Sequence, residues 1–172
     1  INDSMGVFIE FISEIMDVNA CSIMLCDELT GDLTIRGAKG LEDDIVKQTR
    51  LRFGDRIAGW VAVQGEPLLI EDIETHSGFS RRNIPRYGSS SLLSVPLKVK
   101  DKIIGVVNFN NKKSSEPFNP EDLVLATVIS ERVSKFIERV KDREYSGESL
   151  KQFLFYFDTL LNAERKYHKK KG

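Results

Sequence analysis

Residues 88–112 read GSSSLLSVPLKVKDKIIGVVNFNNK, and this stretch decides the fold. In its first half Leu93, Val95, Leu97 and Val99 alternate with Leu92, Ser94, Pro96 and Lys98, the period of two of a strand. In its second half Ile103, Gly105, Val107 and Phe109 take one face, while Ile104, Val106, Asn108 and Asn110 take the other. Lys100-Asp101-Lys102 is polar and suits an exposed turn, so the stretch predicts a hairpin. An isolated hairpin is marginal in water and must be covered by other elements. The second strand is apolar on both faces, which places it near the middle of a sheet with material packed on each side. Pro96 cannot donate a ladder hydrogen bond and points to an edge or a bulge. Gly105 has no side chain where its row otherwise carries bulk, and points to a close backbone approach or a bulge.

The chain has 172 residues, 41% hydrophobic and 30% charged, enough for one domain with an appendage and a real core. A formal net charge of −1 supplies no field for nucleic acid or an acidic membrane surface, so neither is expected as a partner. No apolar run approaches the roughly 20 residues that cross a bilayer, and no secretion signal is read. An amphipathic pattern is already under way at Ile1, as in a piece cut from a longer protein. Cys21 and Cys26 lie five apart in a predicted strand, on opposite faces, which argues against a local disulfide or a shared metal. Two buried, reduced thiols in a cytoplasmic protein are expected.

From the N-terminus, Met5, Phe8, Ile9, Ile12 and Met16 fall at helical spacing, with Asp3 or Ser4 to cap the start. ACSIMLCD reads as a strand apolar on both faces, and Thr30-Gly31-Asp32 turns it back into the strand LTIRGAK. A short helix or turn, LEDDIVKQ, and an extended TRLRF follow. DRIAGWVAVQG predicts a helix capped by Asp55 and stopped at Gly65, with Ile57, Ala58, Val61 and Ala62 on one face. LLIED is a short strand after Pro67. Residues 73–91 show no period and carry Phe79, Ile84 and Tyr87 as isolated anchors; both a binding loop and a short helix with an irregular connection fit them. Asn119, Pro120 and the acids behind them start a long helix with a seam of Ala126, Ile129, Val133, Phe136 and Val140. Ser146-Gly147 interrupts it, and a second amphipathic stretch carries Leu150, Phe153, Leu154, Phe157, Leu160 and Leu161.

In this order CSIMLCD, GDRIAGWVAVQGEPLLIED, LLSVPLKVKDKIIGVVNFNNK and FNPEDL resemble the GAF domains, sensory modules of signalling proteins. The resemblance covers roughly residues 3–143 and gives the domain division: a GAF domain over 1–143, then a helical extension over 144–172 leading to an output domain outside this sequence. It implies an α+β fold with a mostly antiparallel six-stranded sheet, the terminal helices on one face and a ligand pocket on the other. It also implies a homodimer through those helices.

Cyclic-nucleotide-binding members carry an Asn-Lys…Phe…Asp-Glu signature. Asn111, Lys112, Phe118 and Asp122 match it, and Leu123 replaces the final Glu. The matching part predicts an ion pair from Lys112 to Asp122. Ser22, Ile57 and Ala58 are similar to nucleotide-binding members, whereas Ala38-Lys39 replaces their aromatic-Asp pair, so the base loses its stacking surface and its acidic partner. The 73–91 loop has no Cys for a bilin. His76 stands alone as a haem ligand, and a lone loop His is more often solvated. No cluster for non-haem iron and no catalytic triad or phosphate loop is read. The cysteines do not sit where the family's free methionine sulfoxide reductases carry theirs. No cofactor is identified, no metal or catalytic residue is expected, and the chain does not read as an enzyme.

The pocket implied by the resemblance is lined by Ser22, Ala38, Lys39, Ile57, Ala58, Trp60, Phe79, Ser80, Arg82 and Ser89. With Lys39, Arg81, Arg82 and Arg86 nearby, the expected occupant is a small molecule of anionic character. The competing readings are a structural dimerisation module with a packed, vestigial pocket, and a cyclic-nucleotide receptor. An open cavity separates the first of these from the sensor.

Overall fold

The structure is a computed structural model that describes residues 2–79 and 89–141, together with Phe155, Thr159 and Asn162. Its elements are α1 (Asn2–Ile15), β1 (Val18–Cys26), β2 (Leu33–Lys39), α2 (Asp43–Gln48), β3 (Arg50–Leu51), α3 (Arg56–Gln64), β4 (Leu68–Ile70), β5 (Leu92–Val99), β6 (Lys102–Lys112) and α4 (Pro120–Lys141). The six strands form one antiparallel sheet in the order β3-β2-β1-β6-β5-β4.

The hairpin forms as the alternation requires. Val99 pairs with Lys102 across a tight turn in which Lys100 takes a positive φ of 54°, the geometry two-residue hairpin loops use. β6 lies between β1 and β5, the central place its two apolar faces call for. Pro96 pairs with Val106, and β4 ends opposite Ser94, so Pro96 sits where the outer side of β5 has no partner among the described residues. Gly105 is the close approach: a Cβ there would run into the Met24 carbonyl oxygen. One expectation fails locally. The ladder steps from Leu97–Gly105 to Lys98–Ile103, leaving Ile104 as the extra residue of a bulge. The bulge turns Ile103 to the opposite face, where it packs with Met24 and Val106.

α1 covers one face of the sheet. Met5, Phe8, Ile9 and Ile12 are fully buried, as are Ile23, Leu93, Val95, Leu97, Val107 and Phe109. Gly37 lets the helix settle, since a Cβ there would stand 2.9 Å from Ile9 Cγ1. Cys21 belongs to this face, its Sγ 3.8 Å from the Ile9 carbonyl oxygen. Both thiols are unpaired, but Cys26 is only half-buried, contrary to expectation. It ends β1 at the Asp27–Asp32 turn, where chain cover runs out.

α3 begins after Asp55, which holds the cap position without bonding a helix N–H; its Oδ2 accepts the Arg52 N–H at 3.1 Å instead. Gly65 ends the helix in the left-handed conformation, φ 66°. At the start of α4, Asn119 Oδ1 accepts the N–H groups of Glu121 and Asp122 at 2.9 and 3.0 Å. Asp122 Oδ2 accepts the Asn119 N–H in return at 2.9 Å, a reciprocal cap. The same oxygen lies 2.7 Å from Lys112 Nζ, so the expected ion pair ties β6 to α4.

The chain divides into two compact units, residues 1–134 and 135–172, with the boundary inside α4. Of the seam residues, Ala126, Ile129 and Val133 of the first and Phe136 of the second are buried in the single chain, and Val140 is half-buried. Phe155, Thr159 and Asn162 of the second unit are exposed; the other residues of the extension from residue 144 lie outside the described residues. Among the described residues no helix is long and apolar enough to cross a membrane.

Candidate functional site: a cavity on a polar row of the sheet

On the face opposite α1, the side chains of the sheet stand in rows. Met24 and Val106 form an apolar row that α3 closes with Ala58, Val61 and Ala62. The next row is polar. Ser22 pairs across β1–β6 with Asn108, and Asn108 pairs across β6–β5 with Ser94. Ser94 Oγ donates to Asn108 Oδ1 at 2.8 Å, and Asn108 Nδ2 donates to Ser22 Oγ at 3.3 Å. Ser94 is wholly buried and Ser22 nearly so, while Asn108 is half-buried.

α3 caps the apolar row and leaves the polar one open beneath a cavity of about 470 Å³. Arg56, Ile57 and Ala58 of α3, Ile45 of α2, Thr49, Phe79 and Asn110 line it too, and Met24, Ile35, Leu41, Leu51 and Leu92 make the rest of the described wall apolar. Phe79 packs with Ile70, Ile73 and Leu92, its ring edge-on to Trp60 at 5.4 Å. His76 packs on Phe79 at 5.7 Å, and its Nδ1 accepts the Gly78 N–H at 3.1 Å. Among the described residues the lining contains one cation, the exposed Arg56, and no carboxylate. No group of three His, Cys, Asp or Glu among the described residues could hold a metal.

Of the residues expected at the pocket, Ser22, Ile57, Ala58 and Phe79 line it. Ala38 stands beside Ser22 on β2 but outside the wall. Lys39 turns the other way: it pairs with Cys21 on the α1 face, 2.6 Å from Glu10 Oε2 and 3.0 Å from Ser13 Oγ. The hydrogen bond it donates to Glu10 raises its ammonium above the usual lysine range. Trp60 backs Phe79 and packs against the Met24–Val106 cluster rather than forming the wall. Ser89 uses its Oγ to accept the Ser91 N–H at 3.1 Å and is not in the wall. Ser80 and Arg82, with Arg81 and Arg86, lie outside the described residues. Asn108, Asn110, Arg56 and Thr49 were missed. The two asparagines had a legible signal, polar side chains on the face they share with Val106. Cys21 contributes to the wall only from its strand, for its thiol is on the α1 face and burial pushes it up to about 12.

Comparison with known proteins gives a match to the family profile described as GAF domain over residues 7–137. The cone cGMP-specific 3',5'-cyclic phosphodiesterase subunit alpha' of Mus musculus is 26% identical over 182 aligned positions, 92% of this chain. The chain spans only 21% of that relative's length. A methyl-accepting chemotaxis protein fragment superposes with a TM-score of 0.70 at 18% identity, covering 84% of this chain and 93% of the other. The type II free methionine-R-sulfoxide reductase of Thermoplasma acidophilum does so at 0.64 and 13%, covering 80% and 92%. These superpositions speak to the fold.

Proposed function

Since this chain belongs to the GAF domain family, we propose that it is the ligand-binding regulatory module of a cytoplasmic signalling protein, in which a small polar molecule fills the cavity and biases an output domain through the terminal helices. Family members occur in sensor and signalling proteins, among them a phosphodiesterase subunit and a chemotaxis protein. The observation that carries the reading is the 470 Å³ cavity left over the Ser22–Asn108–Ser94 row. A domain kept only as a scaffold has no reason to leave Ser22 and Asn108 facing an unfilled space, because packed apolar side chains there would add stability. Among the described residues the anionic character expected of the ligand draws on Arg56, since Lys39 is bonded to Glu10 on the far face.

The relative that is a cGMP-specific phosphodiesterase favours a second reading, a cyclic nucleotide in the cavity. Ser22, Ile57 and Ala58 stand in the wall as that reading requires, but neither Ala38 nor Lys39 offers the base a stacking surface or an acid there. The reductase among the fold neighbours raises an enzymatic reading; the buried, proton-holding thiol of Cys21 gives it no support. Calorimetry with cyclic AMP and cyclic GMP decides the second reading, which gains the cavity if either binds at micromolar concentration. A homodimer through α1 and α4 belongs to the proposal and would draw on exposed Val7 and Val124, most of the seam being already buried. Sedimentation at high micromolar concentration tests it, and a monomer there removes it.

A further inference from the structure

Asn108 is held from both sides. A primary amide has two N–H donors and two acceptor lone pairs. Ser94 takes up one lone pair and Ser22 one N–H. These serines stand on the two neighbouring strands, so they engage the flanks of the amide. What they leave is one N–H and one lone pair, side by side along the outer edge of the group, in the wall of the cavity. A hydroxyl can give or take a hydrogen bond, so turning the amide over swaps the serines' roles and still leaves one donor and one acceptor on that edge.

Such an edge reads chemistry. A planar partner with an acceptor and a donor at matching spacing, as in a lactam, a cis-amide or a protonated carboxyl, satisfies both groups at once. An ionised carboxylate presents two acceptors and leaves the Asn108 oxygen facing another oxygen. An amidine presents two donors and leaves the Asn108 N–H facing another N–H. Mismatched buried polar groups are penalised more than matched ones are rewarded, so selectivity follows. Among the described residues no carboxylate of the wall competes for the role.

We propose that Asn108, fixed by Ser94 and Ser22, is the specificity-determining residue of the cavity and selects ligands that present a neutral lactam or cis-amide edge to the sheet. The inference rests on the reading of the cavity as a ligand site. A charge elsewhere on the ligand, toward Arg56, is compatible with it.

The test is a titration of the full, ¹⁵N-labelled chain with 2-pyridone, benzoate and benzamidine, followed by NMR at the Asn108 side-chain amide and at Ile57 and Phe79. The wild type should show saturable shifts of the Asn108 amide with 2-pyridone and none with benzoate. Asn108→Asp keeps the size and offers two acceptors; it should weaken 2-pyridone by about tenfold and strengthen benzamidine by about tenfold. If the probes move Ile57 and Phe79 in the wild type while the Asn108 amide stays still, this inference is overturned and the ligand-site reading stands. That measurement needs no variant to fold. Equal 2-pyridone affinity in the wild type and Asn108→Asp overturns it in the same way. If no probe moves any of the three residues and the purified chain carries no small molecule by native mass spectrometry, the ligand-site reading itself falls.

Discussion

The two faces of the central sheet are built to opposite rules. Toward α1 the strands present Ile23, Val107, Phe109, Leu93 and Val95, all fully buried. Glycine replaces a side chain wherever the backbone must come closer, at Gly37 under Ile9 and at Gly105 beside Met24. Toward α3 the same strands present an apolar row and then a polar one, and the helix covers only the first. Packing fills the α1 face under the helix, where Lys39 adds its bonds to Glu10 and Ser13. On the other face it stops one row short, where Asn108 is tied to two buried serines beneath open space. The α1 face is therefore a closed core, while the other face joins a smaller core under α3 to the cavity that the proposal fills with a ligand.

The largest expected effect lies on the closed face. Phe109→Ala should lower unfolding free energy by about 3–5 kcal/mol in denaturant titrations; a loss near 1 kcal/mol would mean that this face is not the stabilising one. Cys21 tests the same face through pH. Burial lifts its thiol from 9.0 to about 12, so the folded chain keeps a proton that the unfolded chain loses. Stability should fall as pH rises above about 9, by at most about 1.4 kcal/mol per pH unit, and Cys21→Ala should remove that slope. A bulky thiol reagent should label Cys26 and spare Cys21 under native conditions.

Smaller effects are expected away from the closed face. Lys112→Ala breaks a pair whose side chains are each 16% exposed and should cost about 1 kcal/mol; no loss would show that the reciprocal cap at Asn119 holds α4 by itself. Ile57→Ala, half-buried over the cavity, should cost no more than about 1 kcal/mol yet weaken ligand binding. A loss as large as that of Phe109→Ala would erase the contrast between the faces.

The features legible in the sequence were those set by neighbours along the chain. The hairpin, Pro96 near an unpaired edge, the close approach at Gly105 and the Asn119 cap follow from short-range spacing, and the Lys112–Asp122 pair follows from the family signature. The bulge at Ile104 did not, because an inserted residue leaves the apolar count unchanged while reversing the face beyond it. Lys39 was misplaced although its position was readable. Adjacent strand residues point to opposite faces, so Ala38 and Lys39 cannot both face a pocket. Trp60 was assigned to the wall because it shares a short helix with Ile57 and Ala58; Phe79, from a stretch without periodicity, occupies the place instead. Arg56, exposed at the start of α3, lines the cavity and has a positive φ of 51°, a backbone conformation that an arginine does not announce.

Native mass spectrometry of the chain purified from cells tests the central claim most directly. A filled cavity predicts a mass excess of one small molecule per chain under native conditions, lost on denaturation and reduced in Asn108→Asp. A bare mass, together with no shift at Ile57, Phe79 or Asn108 in the probe titration, would contradict the claim that this face of the sheet is kept open for a ligand.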